Sequence, residues 1–450
     1  MDVCVVGLGK LGSPLAAVLA SKGHRVYGVD LNPQLVDKLN RGEAPVVEPG
    51  LQMLIEANRE RLSATTDFAE AIPYSDISFV IVPTPSMADG TFTNRYLLDA
   101  MRAIGAALRD TDRYHVVNIT STVMPGSTGG EIRDALEQAS GRKVGPRLGL
   151  TYNPEFIALG TVVKDLLQPD MLLIGESDPK AGDMLETIYR QTVHGDPPIQ
   201  RMNWVNAEIT KISVNTYVTT KISYANMLSD LCDRLEGADV DVVSSAIGKD
   251  SRIGSKYIRG ALGYGGPCFP RDNAAWSALA RSLGARPDIA EATDGINAFQ
   301  IDRLCNLVHL TAPPGAKVSV LGMSYKPDTP VVEQSQGLML AQRLAQEGFQ
   351  VSVHDPLALG NAMAVLGESA QAAESAEHAV TSADVVILTT AYQAYRDLPP
   401  ALFARDGDPR LVIDCWRLFS REAMAGNAEL IRLGEGVLAL RRPEPLRQTA

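Results

Sequence analysis

The apolar positions of this chain follow two rhythms. Val3-Cys4-Val5-Val6 and the stretches 25–29, 77–82, 115–119 and 147–151 are short, nearly continuous hydrophobic runs, separated by segments with helical spacing. Runs of that length, interleaved with helical patterns and bounded by turn residues, predict strands of a parallel sheet covered by helices on both faces. Pro197-Pro198 closes this region. From Asn203 to about Leu235 there is neither Gly nor Pro, and Ile209, Ile212 and later apolar positions recur at helical spacing, so one long helix is expected. Further helices run to about Leu310, and Thr311-Ala312-Pro313-Pro314-Gly315 reads as a linker. A second set of short runs follows at Val318–Leu321, Val351–His354, Asp384–Leu388 and Leu411–Ile413. The expected class is α/β, with two doubly wound domains joined by a central helical region, bounded at 1–198, 199–310 and 311–450. The polar, Pro-containing tail from about Arg441 is expected to fray.

The first turn adds chemistry to this pattern. Gly7-Leu8-Gly9-Lys10-Leu11-Gly12 lies between the first run and a helical segment. Glycines at that spacing allow a tight turn and close approach to a pyrophosphate, whose charge the helix N-terminus favours. The second run ends in Asp30, eighteen residues after Gly12, where a carboxylate holds the adenosine ribose hydroxyls. An acid there would repel a 2′-phosphate, which predicts NAD rather than NADP. The first domain therefore reads as Rossmann-like. The second α/β region has no such turn and is expected to bind something other than a dinucleotide.

Composition narrows the class. A chain of 450 residues with 45% hydrophobic and 21% charged positions has ample core for two or three domains. No apolar run approaches a membrane span, and the N-terminus lacks a signal-peptide pattern. Five cysteines without paired spacing point to a reducing compartment, the cytoplasm, with neither a disulfide framework nor a metal site. The net charge of −11 argues against nucleic acid as a partner. Residues 249–272 run against that balance, with Lys249, Arg252, Lys256, Arg259 and Arg271 facing only Asp250 and Asp272, a local patch suited to an anionic substrate.

Within that patch lies Gly263-Tyr264-Gly265-Gly266-Pro267-Cys268-Phe269-Pro270-Arg271-Asp272. Cys4, Cys232, Cys305 and Cys415 sit in apolar strand or helix patterns and are expected to be small buried hydrophobes. Cys268 instead lies among glycines that let the main chain approach a ligand, between two prolines that fix its path, and near cations that favour the thiolate. It is read as a nucleophile. Val82-Pro83-Thr84-Pro85, Thr120-Ser121-Thr122-Val123, Tyr152-Asn153-Pro154-Glu155-Phe156 and Tyr325-Lys326-Pro327-Asp328 follow expected strands, where ligands of such sheets bind. Lys211 and Asn215, four residues apart, share one face of the long helix. Taken singly, each of these also reads as turn chemistry or solvated charge.

Taken together, and in this order, the segments GLGKLG, VPTP, STVMPG, NPEF, EITKISVN, SRIG, GYGGPCFPRD and SYKPDT resemble the UDP-glucose/GDP-mannose dehydrogenase family over nearly the whole chain. The Gly-Gly-x-Cys-Phe-Pro-Arg-Asp form looks most like the UDP-glucose branch. The resemblance implies an NAD-dependent, four-electron oxidation of a nucleotide sugar at C6, UDP-glucose to UDP-glucuronate, with GDP-mannose or a UDP-hexosamine as alternative substrates. By resemblance Cys268 carries a thiohemiacetal and then a thioester, Lys211 and Asn215 stabilise the oxyanion, Glu155 transfers protons, and Thr122 and Asp272 position a water. The cofactor residues implied are Gly7, Leu8, Gly9, Lys10, Leu11 and Gly12, with Asp30, Thr84, Pro85, Ser121, Thr122 and Arg271. Those implied for the sugar nucleotide, between domains, are Glu155, Phe156, Ile157, Ala158, Leu159, Lys211, Asn215, Tyr257, Arg259, Tyr264, Gly265, Tyr325, Lys326 and Arg417. Arg252 matches an arginine that reaches a neighbouring subunit's substrate, which implies a homo-oligomer whose dimers are built on the long helix. Three positions depart from the family. Leu159 stands where relatives place a cofactor-facing Glu, Glu333 where many carry an Arg, and Leu35 where a basic residue is frequent.

Overall fold

A computed structural model describes residues 1–436, so the polar tail from Arg441 lies outside the described residues. It divides into two compact units, Met1–Val214 and Asn215–Ala450, with the boundary inside the helix Trp204–Asp233.

In the first unit, β1 (Asp2–Val6), β2 (Arg25–Val29), β3 (Leu62–Thr65), β4 (Ile77–Val80), β5 (His115–Ile119), β6 (Leu148–Tyr152), β7 (Leu172–Glu176) and β8 (Ile199–Met202) form one sheet in the order β3-β2-β1-β4-β5-β6-β7-β8. The expectation of a wholly parallel sheet is corrected at one place. β7 runs antiparallel to β6, and β8 is parallel to β7. An antiparallel neighbour needs no crossover to the far end of the sheet, so the 19 residues between β6 and β7 suffice with only the short helix Val162–Leu167 among them. The apolar pattern misses β3, β7 and β8. β3 reads Leu-Ser-Ala-Thr and β8 directly follows Pro197-Pro198, so neither presents a hydrophobic run.

Both faces of the sheet are covered, and the strand period decides which residue goes where. Val3 and Val5 of β1 join one core layer with Leu15, Leu19 and Ile174, while Cys4 and Val6 join the opposite layer with Met101, Ile104 and Val117.

The second unit begins with the rest of the long helix, followed by helices Val240–Ile247, Phe269–Ser282 and Asp288–Thr311. Its sheet contains β9 (Lys317–Leu321), β10 (Gln350–His354), β11 (Gln371–Ala372), β12 (Val385–Leu388), β13 (Leu411–Asp414) and β14 (Glu429–Arg432) in the order β11-β10-β9-β12-β13-β14, all parallel. Position by position this repeats the order of β1 to β6. The two strands that the apolar pattern misses here, β11 and β14, are the edges, where a strand buries least. No described helix is long and apolar enough to cross a membrane, and no metal-ligand cluster occurs among the described residues.

Candidate active site

The glycine turn of the first unit assigns each glycine a separate task. Gly7 has φ +96°, its N–H donates to Val29 O at 2.7 Å, and a methyl group there would lie 2.2 Å from Ile81 O. A methyl at Gly12 would lie 1.7 Å from Gly7 O. These two residues are glycine because protein occupies the space. Gly9 differs: an added carbon would meet nothing within 4 Å, which leaves its backbone open to a ligand. Asp30 closes the turn, with Oδ2 accepting from Leu8 N–H at 2.6 Å and Oδ1 from Asn32 N–H at 2.8 Å. Each oxygen retains a lone pair for a hydroxyl donor.

A cleft of about 730 Å³ opens over this turn, lined by Gly9, Lys10, Leu11 and Asp30 and by an apolar wall of Leu31, Phe68, Ile81, Tyr96 and Ala103. The sequence pattern does not reveal that wall, because its members come from separate loops and a helix and share no spacing. The loops after β4 and β5 are stitched together beside it. Thr84 Oγ1 donates to Thr122 O at 2.7 Å, and Ser121 Oγ accepts from Val82 N–H at 2.9 Å. Size, the open glycine and the ribose carboxylate all fit NAD.

The second sheet carries a counterpart that takes no such ligand. Gly322 has φ +112° and donates to His354 O at 2.8 Å, as Gly7 donates to Val29 O. A methyl at Gly337 would lie 2.0 Å from Gly322 O, as one at Gly12 would from Gly7 O. Asp355 occupies the place of Asp30, but it is 2% exposed and accepts from six donors: Met323 N–H, Ser324 N–H and Oγ–H on one oxygen, and Leu357 N–H, Ala358 N–H and Tyr392 O–H on the other. No acceptor capacity is left for a ribose.

Beyond β6, Glu155 is half-buried with its carboxyl turned inward, and desolvation pushes that carboxyl up to about 7, against the opposing pull of Tyr189 and Lys211. The Tyr189 hydroxyl lies 3.1 Å from Glu155 Oε1 and also bonds Asn153 Oδ1, while Asn153 Nδ2 donates to Leu173 O at 2.8 Å. A phenol has one proton. Asn153 Oδ1 and Glu155 Oε1 share it, and its donation to Glu155 favours the carboxylate, against the larger effect of desolvation, which favours the acid. Lys211 is buried, not solvated: its ammonium donates to Glu155 O at 2.6 Å and lies 4.7 Å from the centre of the Phe156 ring. Two contributors leave no signal in the sequence. Tyr189 resembles any core aromatic of an amphipathic helix. Glu208, fully buried three residues before Lys211, accepts from Gly126 N–H at 2.6 Å and Thr128 N–H at 2.8 Å, and so ties the loop beyond Thr122 to the long helix. Ile157 and Leu159 pack against the first unit's core, which gives Leu159 an apolar role where a Glu would be unsuited.

In the second unit Cys268 is exposed, whereas Cys4, Cys232, Cys305 and Cys415 are buried, the last one residue past β13. Cys268 ends a turn and immediately precedes the 14-residue helix Phe269–Ser282, whose positive end favours an anion. One turn into that helix, buried Asp272 accepts from Asn215 Nδ2 at 2.6 Å. The loop glycines are expected from the sequence to let the main chain approach a ligand. The structure gives three of them a packing reason as well: a methyl at Gly260 would lie 2.7 Å from Ala225 O, one at Gly263 2.4 Å from Asn297 Oδ1, and one at Gly265 2.2 Å from Gln334 O. Tyr264 is buried with its hydroxyl on Asp294, and both it and Tyr257 meet the Phe269 ring edge to face. Burial, with the charges of Cys268 and Glu333 nearby, pushes the Tyr325 hydroxyl up to about 12.

The arginines sort differently. Arg252 is exposed and paired with Asp250 at 2.6 Å in its own loop, and Arg259 donates to Trp416 O at 2.8 Å. Arg417, expected to face substrate, has a buried side chain that meets Asp239 at 2.6 Å, Asp241 at 3.2 Å and Glu435 at 3.7 Å. In this structure its charge is balanced by carboxylates of its own unit.

Family models agree with this arrangement over most of the chain. The NAD binding domain of the UDP-glucose/GDP-mannose dehydrogenase family matches residues 1–193, its central domain 205–298 and its UDP binding domain 319–421. The chain belongs to the UDP-glucose/GDP-mannose dehydrogenase family. It is 36% identical over 425 residues to the UDP-glucose 6-dehydrogenase of Haloferax volcanii, covering 94% of this chain and 98% of that one. It is also 36% identical over 359 residues to the GDP-mannose 6-dehydrogenase of Pseudomonas putida, covering 79% and 81%. The solved structure of a UDP-glucose dehydrogenase from Pyrobaculum islandicum superposes with a TM-score of 0.86 at 34% identity, covering 96% and 97%. As a family member the chain is an NAD-dependent nucleotide-sugar dehydrogenase, an oxidoreductase.

Proposed function

We propose that this dehydrogenase oxidises UDP-glucose at C6 to UDP-glucuronate, a four-electron reaction through a thioester on Cys268. The observation that carries it is the single exposed cysteine, set at a helix N-terminus one turn from the Asn215–Asp272 pair. NAD held at Gly7, Gly9, Gly12 and Asp30 supplies the hydride acceptor. The first oxidation leaves an aldehyde, whose trigonal carbon has no alkoxide to push out a second hydride. Addition of the Cys268 sulfur restores a tetrahedral carbon as a thiohemiacetal, and its oxidation gives a thioester that water hydrolyses. Lys211 and Asn215 offer the positive charge and N–H donor that stabilise the oxyanion of each addition. Glu155, divided between acid and carboxylate near neutral pH, accepts and returns protons, and Asp272 and Thr122 orient the water. Phe156, Ala158, Tyr257, Arg259, Tyr325 and Lys326 contribute to holding the nucleotide sugar in this reading, and Pro85 and Arg271 to holding the cofactor.

A second reading, GDP-mannose as substrate, is favoured by the equal identity to the Pseudomonas putida enzyme. Assays over a panel of nucleotide sugars decide between them: two NADH per sugar consumed, an acid as product, and the highest kcat/KM for UDP-glucose are expected. One NADH per sugar with accumulating aldehyde would refute the thioester route, and preference for GDP-mannose would reassign the substrate.

We also infer a dimer. Tyr217, Tyr224, Met227 and Leu231 on the long helix, and Leu235 just past its end, are 45–66% exposed at spacings of seven, three, four and four. Such a stripe on one face is suited to burial against a second copy, with Arg252 reaching the neighbour's substrate. Sedimentation at micromolar concentration should show a species of at least twice the chain mass, lost when Met227 and Leu231 are both changed to Asp. A monomeric wild type would exclude this pairing.

A further inference from the structure

The two sheets share strand order and first-turn geometry but differ in one dimension. Four residues separate Gly7 from Gly12, and fourteen separate Gly322 from Gly337, so the second turn is longer by ten. The added residues make an excursion between Ser324 and Gln336. Its returning limb ends in a tight turn in which Ser335 N–H donates to Val332 O at 3.1 Å. Gln334, the second central residue of that turn, has φ +51°. Glycine takes such a conformation readily, and a glutamine is held there only against strain.

The strained limb meets the cysteine loop. Gly266 N–H donates to Glu333 O at 2.9 Å. A methyl at Gly265 would lie 2.2 Å from Gln334 O, and one at Gly266 2.6 Å from the Tyr325 ring. All three contacts come from the excursion, and all bear on the two residues that lie three and two positions before Cys268. We infer that the excursion is the mount that positions Cys268, and that Gln334 is a positioning residue because its left-handed backbone turns its carbonyl onto Gly265. The shorter turn of the first unit has no counterpart, and the one cysteine of that unit, Cys4, is buried. Tyr325 and Lys326, which the proposed function assigns to the nucleotide sugar, lie on the outgoing limb. One loop therefore seats the nucleotide and sets the sulfur, an inference that rests on that reading only for the nucleotide half.

The test compares Gln334→Gly with Gln334→Pro, and keeps Gly265→Ala as a second disruption should the proline chain not fold. Glycine retains φ +51° and the carbonyl, whereas proline forces φ to about −65° and turns the carbonyl away. With the nucleotide-sugar aldehyde supplied directly, oxidation to the acid is expected to fall about 100-fold in the proline and alanine variants. It should stay within about twofold of wild type in Gln334→Gly, whose Tm should be equal or higher. The rate of Cys268 alkylation by iodoacetamide, read by mass spectrometry without any sugar, should change about tenfold or more in Gln334→Pro and Gly265→Ala and stay near wild type in Gln334→Gly. Wild-type alkylation and aldehyde oxidation in Gln334→Pro, or equal losses in the glycine and proline variants, would overturn the inference. Because alkylation needs no substrate, a mistaken sugar assignment would leave that arm able to decide.

Discussion

Cys268→Ser is expected to lower complete oxidation by about three orders of magnitude or more while leaving the fold intact. Serine keeps the shape of the side chain but does not ionise near neutral pH, so addition to the aldehyde stage is lost, and any ester formed hydrolyses more slowly than a thioester. The position predicts little structural penalty, because Cys268 is exposed and precedes its helix without donating a side-chain cap. Steady-state NADH formation with product analysis, beside a thermal melt, measures both. Turnover within a few-fold of wild type would return Cys268 to the class of the four buried cysteines.

Glu155→Gln is expected to move activity and stability in opposite directions. Loss of a positioned proton carrier costs about 10²–10⁴-fold in kcat. The stability effect follows from the desolvated carboxyl being pushed up to about 7, above the ordinary value of 4.5. A raised acid is most stabilising in its protonated form, so the benefit is complete below about 4.5 and is lost as pH rises through 7. At pH 8 the wild type therefore bears a desolvated carboxylate that the glutamine lacks. The variant should be more stable there by about 2 kcal/mol, a figure reduced for the solvent that screens a half-buried residue, with the difference vanishing near the ordinary value. Denaturant unfolding across that pH range tests it, and parallel wild-type and variant curves would show that Glu155 is not held as an acid. The wild-type pH–rate profile should carry a limb near 7 that the variant has lost.

Much of this is legible in the sequence itself, and the division between what is and what is not has physical causes. β1, β2, β4, β5 and β6 announce themselves because strands covered on both faces must be apolar throughout, and the glycine turn because two of its glycines have no room for a side chain. Strands β3, β8, β11 and β14 are short or half-exposed and leave no run to read. Lys211 is ambiguous alone, since a helical lysine is ordinarily solvated, and only Phe156 and the Glu155 carbonyl show why this one is buried. Glu208 and Tyr189 give no signal, because each acts through a partner far away in sequence. The cysteine loop reads correctly as irregular backbone, yet its glycines answer to neighbouring protein atoms, a fact that no spacing encodes.

Asp30 and Asp355 hold equivalent places on two versions of one turn, and they would separate in a survey of variants. An alanine at Asp30 removes a carboxylate with two protein donors and open lone pairs, so the chain should accumulate normally in cells and fail in catalysis. The same change at Asp355 strands six donors, five of them in buried bonds at about 1–3 kcal/mol each, which would deplete the protein before its activity could be asked about. Abundance measured beside activity would therefore distinguish a carboxylate kept for a ligand from its twin kept for folding.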